Sequence, residues 1–329
     1  MRLYSTALGI AREDDPGELS LLDLPFSDLG ALLRGPGVAA ARTAAVLRRV
    51  PLDGVRVHAP VRRPGKILIV GLNYRSHAEE ALEMFAATGR PDITLPTAPN
   101  FQVVAGSAVI APDDDIHLPA VAPGQVDYEG EVAAVIGRPA TAVDAADALD
   151  HLAGLTIAND VSARDIQQRV MSGDPTASIG VSKSFDTFKP LGPCLVTPDE
   201  FQEPLDLRLR TRVNGEVRQD DRTSGFIHGV AELVSFLSHY QTLEPGDVIL
   251  TGTPRGAGVF SGRHLRPGDV VEVEVEHLGT LRNRVAAAPE TTGAPTGTGL
   301  PARTGEAGTA SRARPLPAAL AGPGNTFQD

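Results

Sequence analysis

Tryptophan is absent from this 329-residue chain, and aromatic residues make up only 4% of it. The interior must therefore be packed from Val, Leu, Ile and Ala, within a hydrophobic fraction of 42% that suffices for a large core. Cysteine is nearly absent too. The lone Cys194 excludes an internal disulfide and fits a reducing compartment, so a cytoplasmic setting is expected. It follows Pro193 in an apolar run, where a buried, inert thiol is the expected role. No apolar run approaches the ~18 to 20 residues of a membrane helix. The start, Met1-Arg2-Leu3-Tyr4, lacks a signal-peptide core. Positive charge is in deficit: 30 Lys and Arg against 41 Asp and Glu leave a net charge of -11. That argues against nucleic acid or an anionic membrane as the main partner. A small molecule is the expected one.

The length allows roughly two domains. Residues 1–60 read as a small leading α/β module. It would hold a strand over residues 2–8, a Leu-rich stretch over 19–24 and an amphipathic helix near 38–50. Pro60 and Pro64 mark its end. Residues 61–285 carry short strands near 67–70, 155–158, 247–250 and 271–275, separated by turn signals. Residues 113–119 read as a loop entering the sheet. Asn214-Gly215 is a hairpin turn signal. Helices are few, near residues 76–88, 142–149 and 227–239. The fold class is α+β and mainly β. From residue 286 to 329, Thr, Gly, Ala and Pro dominate without periodicity. Such a segment cannot bury enough apolar surface to offset chain entropy, so a disordered tail is expected.

Several polar clusters interrupt the apolar runs. Glu129 and Glu131 stand one residue apart in Asp127-Tyr128-Glu129-Gly130-Glu131-Val132-Ala133. If that stretch is one strand, both carboxylates face the same side. Like charges so close repel unless a cation lies between them, which suggests a hard divalent metal. An edge strand facing water is the plain alternative. Asp160, at the polar end of the strand 155–158, offers a third oxygen; it would equally cap a turn. His77 and Glu80 lie three apart at the start of a helix, after Ser76 and Glu79 at capping-box spacing. Such a pair serves a general base, or is an ordinary surface pair. Lys183, beside Phe185 and Phe188, needs an anionic partner, a ligand or a plain salt bridge. Thr251-Gly252-Thr253-Pro254 follows a strand, and its glycine lets backbone N–H groups approach a ligand; it also reads as a turn.

Five segments in order carry a resemblance. They are Gly71-Leu72-Asn73-Tyr74 running into His77, Asp127-Tyr128-Glu129-Gly130-Glu131, Asn159-Asp160-Val161-Ser162-Ala163-Arg164-Asp165-Ile166-Gln167, Lys183-Ser184-Phe185-Asp186-Thr187-Phe188, and Leu250-Thr251-Gly252-Thr253-Pro254. Together they resemble the fumarylacetoacetate hydrolase family, closest in pattern to its acylpyruvase and 2-hydroxyhepta-2,4-diene-1,7-dioate isomerase branch. The resemblance implies a mixed β-roll catalytic domain and a homodimer or higher even oligomer. It implies Mg²⁺ or Mn²⁺, with Ca²⁺ as a further option, held by Glu129, Glu131 and Asp160. By the same likeness His77 is the general base with Glu80 as its partner acid. Lys183, Arg164, Gln167 and Thr253 match substrate-contact and oxyanion positions.

The implied activity is metal-dependent hydrolysis of a C–C bond in an acylpyruvate-type 2,4-dioxo acid, through a stabilised enolate. Isomerisation or decarboxylation of a 2-oxo diacid uses the same residues. A metal-bound scaffold without turnover is the alternative of another class. Two departures bear on the substrate. Ile69-Val70 stand where fumarylacetoacetate hydrolases of tyrosine breakdown bring an acid, which argues against fumarylacetoacetate. Gln102 stands near where many short members carry a Lys, which points to a less anionic or an unusual substrate.

Overall fold

A computed structural model describes residues 1–202 and 204–288. Its centre is a twelve-stranded mixed sheet. The middle strands run in the order Lys189–Val196, Leu152–Asn159, Gly130–Ile136, Val248–Leu250 and Ile67–Gly71. Every residue of Gly130–Ile136 is buried. Alternation explains how one strand serves two cores: Val132, Ala134 and Ile136 enter one apolar cluster, Ala133 and Val135 another. The helix Val230–Tyr240 covers the first, burying Val230, Leu233, Val234 and Leu237 at helical spacing. Each such side chain contributes about 1.5 to 3 kcal/mol by leaving water.

The leading segment continues this sheet. Arg2–Thr6 pairs antiparallel with Lys189–Val196, and the strands Gly9–Asp15, Glu18–Leu22 and Val46–Pro51 follow outward. We propose that the leading module ends near residue 60, where Pro60 and Pro64 stand. The tail expected from residue 286 lies, from 289 on, outside the described residues.

A five-stranded sheet packs against the first, in the order Glu216–Arg222, Arg208–Val213, Val270–Val275, Gly279–Ala286 and Asp115–His117. The Asn214-Gly215 turn forms as expected, with both residues at positive φ, 53° and 80°. Val270–Val275 alternates buried and half-buried residues, as its Val/Glu pattern requires.

Four local expectations need correction. The helix near 38–50 is only Ala39–Thr43, because Val46–Pro51 pairs with Glu18–Leu22 and is drawn into the sheet. Residues 142–149 form no α-helix; a short 3-10 turn, Ala148–His151, takes their place. The segment 113–119 includes a strand, Asp115–His117, which pairs parallel with Gly279–Ala286. The helix Arg75–Ala87 starts earlier than expected and has no capping box, since the Ser76 hydroxyl donates instead to Asp221 at 2.5 Å.

Candidate active site

The acidic residues meet where the two sheets touch. The expected single strand around them is broken. Val126–Asp127 pairs with Ser162–Ala163, and Gly130–Ile136 pairs with Leu152–Asn159, leaving Tyr128 and Glu129 between the ladders. Asn159 Oδ1 accepts the Glu129 N–H at 3.0 Å, which fixes the break. Gly130 is required here: a Cβ would fall 2.1 Å from Thr211 Oγ1 of the facing sheet. Despite the break, Glu129, Glu131 and Asp160 converge, each buried and each with a carboxylate oxygen within 4.8 Å of the others.

Their neighbours are ionic. Arg164 Nε donates to Asp127 Oδ2 at 2.8 Å, and its Nη2 donates to Glu129 Oε1 at 2.5 Å. Lys183 Nζ bridges Glu129 Oε2, at 2.7 Å, and Asp160 Oδ2. Lys189 Nζ lies 2.7 Å from Asp160 Oδ1 but aims its hydrogen bonds at the carbonyls of Val161 and Phe188. It therefore pairs with Asp160 by charge, and that oxygen receives no hydrogen bond. Burial alone would raise the Glu129 carboxyl, but Arg164 and Lys183 hold it well below the usual range. Glu131 behaves oppositely. Burial first, then the charges of Asp160 and Glu129, push it well above. Its bond from the Gly252 N–H, at 2.6 Å, does not offset them. Gly252 presents that N–H from a backbone at φ +100°, a conformation suited to glycine.

Four buried carboxylates thus face three buried cations, Arg164, Lys183 and Lys189. Glu131 is the carboxyl left without a cation, and its raised pKa means that it holds a proton where no cation is bound. A hard divalent ion supplies what this donor set lacks, so the residues present fit one.

Breaking the buried ion pairs should be costly. Arg164→Ala strands Asp127 and Glu129 and is expected to cost about 3 to 5 kcal/mol. The urea midpoint measures it; a loss under about 1 kcal/mol would mean that solvent already relieves these charges.

His77 lies in the first turn of the helix Arg75–Ala87 and is buried. Its Nδ1 stands 3.5 Å from Glu80 Oε2, ion-pair distance but outside hydrogen-bond geometry, so Nδ1 has no hydrogen-bond partner among the described residues. Glu80 is steadied by the Gly256 N–H, 3.1 Å from Oε2. Phe260 meets the imidazole edge-on at 5.5 Å. Asn73 places the helix: its amide exchanges bonds with His228 and donates to the Thr251 carbonyl, clipping the helix start to the turn after Val248–Leu250.

A cavity of about 390 Å³ collects these groups. His77, Glu129, Glu131, Asp160, Arg164, Gln167, Lys183 and Thr253 line it. Glu80 supports His77 from behind. Most polar contact residues are already engaged. Gln167 accepts from Arg164 and donates to Ser182, and Thr253 donates to the Gly130 carbonyl. Lys183 retains one N–H beyond its two carboxylate partners. Met84, Phe85, Val259 and Phe260 make much of the remaining wall apolar.

Sequence reasoning missed Lys189, whose setting before Pro190 gives no sign that it reaches Asp160. It also gave Asp127 no role, although Asp127 secures Arg164 and accepts the N–H groups of Gly258 and Val259. Cys194 is buried as expected, and burial pushes its thiol up to about 11.

Comparison with known proteins agrees with this architecture. Residues 66–286 match the family Fumarylacetoacetate (FAA) hydrolase C-terminal. The mitochondrial oxaloacetate tautomerase of Bos taurus is 41% identical over 238 residues, 72% of this chain and 71% of that protein. The crystal structure of 2-hydroxyhepta-2,4-diene-1,7-dioate isomerase from Mycobacterium marinum is similar over 87% of this chain and 98% of its own, with 36% identity and a TM-score of 0.66. Maleylpyruvate hydrolase from Sphingobium sp. SYK-6, solved with manganese (II) and pyruvate, is 26% identical over 88% of this chain and 100% of its own, with a TM-score of 0.68. The chain belongs to the fumarylacetoacetate hydrolase family and is an enzyme of that family. No described helix is long and apolar enough to cross a membrane.

Proposed function

We propose that this enzyme interconverts the enol and keto forms of a 2-oxo acid in a divalent-metal-dependent reaction. The observation that carries the reading is a single cavity wall on which the buried triad Glu129, Glu131 and Asp160 stands with His77. These three carboxylates would hold Mg²⁺ or Mn²⁺, which when bound supplies Lewis-acid polarisation of a carbonyl oxygen. The chain's own residues move the proton. His77 takes it from C3 of the keto acid and gives a proton back to the C2 oxygen through solvent, so the imidazole returns to its neutral form and no atom is lost or added. Glu80, held by Gly256, keeps the imidazole aimed. The remaining N–H of Lys183 faces charge developing on oxygen. The names of the Bos taurus and Mycobacterium marinum proteins, a tautomerase and an isomerase, support this net reaction.

A second reading is hydrolytic C–C cleavage of an acylpyruvate. The His77–Glu80 pair favours it, because an imidazole backed by a carboxylate also takes a proton from water. The manganese-bound hydrolase neighbour supports it as well. Decarboxylation would draw on the same enol.

The substrate end remote from the triad is uncharged in this reading. Among the described lining residues the cations are Arg164 and Lys183, both paired with carboxylates, and Gln102 is neutral. A homodimer or larger even assembly is supported by apolar groups left exposed near the Asn100–Val104 sheet edge, Val103 at 49% and Tyr240 at 66%. A reducing compartment such as the cytoplasm is supported by the lone buried thiol. The Bos taurus relative, by its name, is mitochondrial.

The test is incubation with acetylpyruvate and with oxaloacetate in the presence of Mg²⁺. Ultraviolet loss of the enol and release of carboxylic acid are followed separately. Enol loss without acid release is expected, with kcat/KM higher for acetylpyruvate by about tenfold. Acid released in step with enol loss would establish the hydrolase instead. A preference for oxaloacetate would refute the uncharged far end.

A further inference from the structure

A second cavity, of about 510 Å³, shares no lining residue with the first. Three separate segments form it, and four arginines line it: Arg34, Arg56, Arg62 and Arg63. Asp28 and Asp114 are the acids in its wall, and both are already occupied. Asp28 caps the helix Leu29–Leu33 by accepting the Ala31 N–H at 2.8 Å. Asp114 accepts from the Ala111 N–H at 3.0 Å and from Arg56 at 2.5 Å. Arg34, Arg62 and Arg63 have no ion-pair partner among the described residues, so three guanidinium groups line one space against the single carboxylate of Asp28, which is hydrogen-bonded only to neutral donors. In a chain of net charge -11 this is a local reversal of sign.

The wall that carries them is anchored. Ala59 and Val61 are buried, and the Pro60 carbonyl accepts from the buried Ser5 hydroxyl at 2.9 Å. The arginine stems at 62 and 63 therefore project from fixed backbone. Ser27 and Ser107 add hydroxyl donors to the lining. Among the described residues no Phe, Tyr or Trp lines the cavity, so none of them offers a broad stacking face for a nucleobase. Guanidinium forks match the paired oxygens of phosphate and carboxylate groups.

The geometry points to a binding site for a compact multivalent oxyanion, of the pyrophosphate or tricarboxylate kind, held by Arg34, Arg62 and Arg63. The state of His58, in the same wall, agrees with a positive field. Burial, then Arg62 and Arg56, lower its pKa from the usual value.

Isothermal titration of the full chain with pyrophosphate, and separately with citrate, tests this at matched ionic strength and without added divalent metal. Saturable one-site binding of either anion is expected, with a rise in melting temperature. Binding of pyrophosphate alone identifies a phosphate ligand, and of citrate alone a carboxylate ligand. The Arg62→Ser/Arg63→Ser variant should weaken binding by about tenfold or more, from the lost charge-assisted bonds. Both residues are exposed, so its anion-free melting temperature and enol turnover should match the parent. Arg34→Ser provides an independent check on the same readout. Glu131→Gln should leave the binding intact. No saturable binding, equal binding by the arginine variants, or loss of binding in Glu131→Gln would each overturn the proposal.

Discussion

Glu131→Gln is expected to lower metal-dependent turnover by about 10³-fold or more, since Lewis-acid stabilisation supplies several kcal/mol. Among the three acids this is the cleanest substitution. Glu129 and Asp160 are tied to Arg164, Lys183 or Lys189, so changing either one also strands a buried cation. Among the described residues Glu131 has no such partner and accepts only the Gly252 N–H. The same variant should make the metal-free chain more stable. Glu131 keeps its proton to a pH well above its ordinary 4.5, through burial and then Asp160 and Glu129. Above that ordinary value the folded, metal-free chain therefore binds more protons than the unfolded one. Its stability must fall as pH rises towards the raised value. Glu131→Gln should lack that decline. Saturating Mg²⁺ should remove it from the parent, because the ion takes the place of the proton. Melting temperatures across pH, with and without Mg²⁺, measure all three. A metal-free parent whose stability climbs through the same range would contradict the buried acidic cluster.

His77→Ala is expected to lower kcat by about 10² to 10⁴ while leaving metal content unchanged, as loss of a general acid–base requires. His77 is not among the residues that converge as a triad, and its ring packs against Phe260. Glu80→Gln separates the two readings. If Glu80 only orients the imidazole, enol–keto interconversion should persist at reduced rate. Hydrolysis, which needs the pair to draw a proton from water, should fail. Turnover of His77→Ala within about threefold of the parent would remove His77 from the mechanism. Equal loss of both activities in Glu80→Gln would remove the distinction between orienting and activating roles.

The parts of the site that were legible in the sequence are those whose chemistry is local. Glu129, Glu131 and His77 with Glu80 are close in sequence, and their spacing is meaningful whether or not the strand is continuous. Asp160 became legible through motif likeness and meets the pair in space. What sequence could not give is tertiary. Lys189 reaches Asp160 only because Lys189–Val196 pairs with Leu152–Asn159. Arg164 reads as a substrate contact in the motif, yet its guanidinium is spent on Asp127 and Glu129. Secondary structure failed in the same way. Residues 46–51 carry a pattern compatible with a helix, but a neighbouring strand edge offers hydrogen bonds and takes them. The Ser76–Glu79 capping box was overridden when Asp221, from the other sheet, captured the Ser76 hydroxyl.

On the proposed function a single divalent ion completes the cluster of Glu129, Glu131 and Asp160. Titration of the metal-stripped chain with Mn²⁺, followed by electron paramagnetic resonance of the free ion, tests it without reference to any substrate. The parent should take up one ion per chain, and Glu131→Gln, equally folded by circular dichroism, should take up none at the same concentrations. Mn²⁺ uptake by the variant equal to the parent, or none by the parent, would contradict the account.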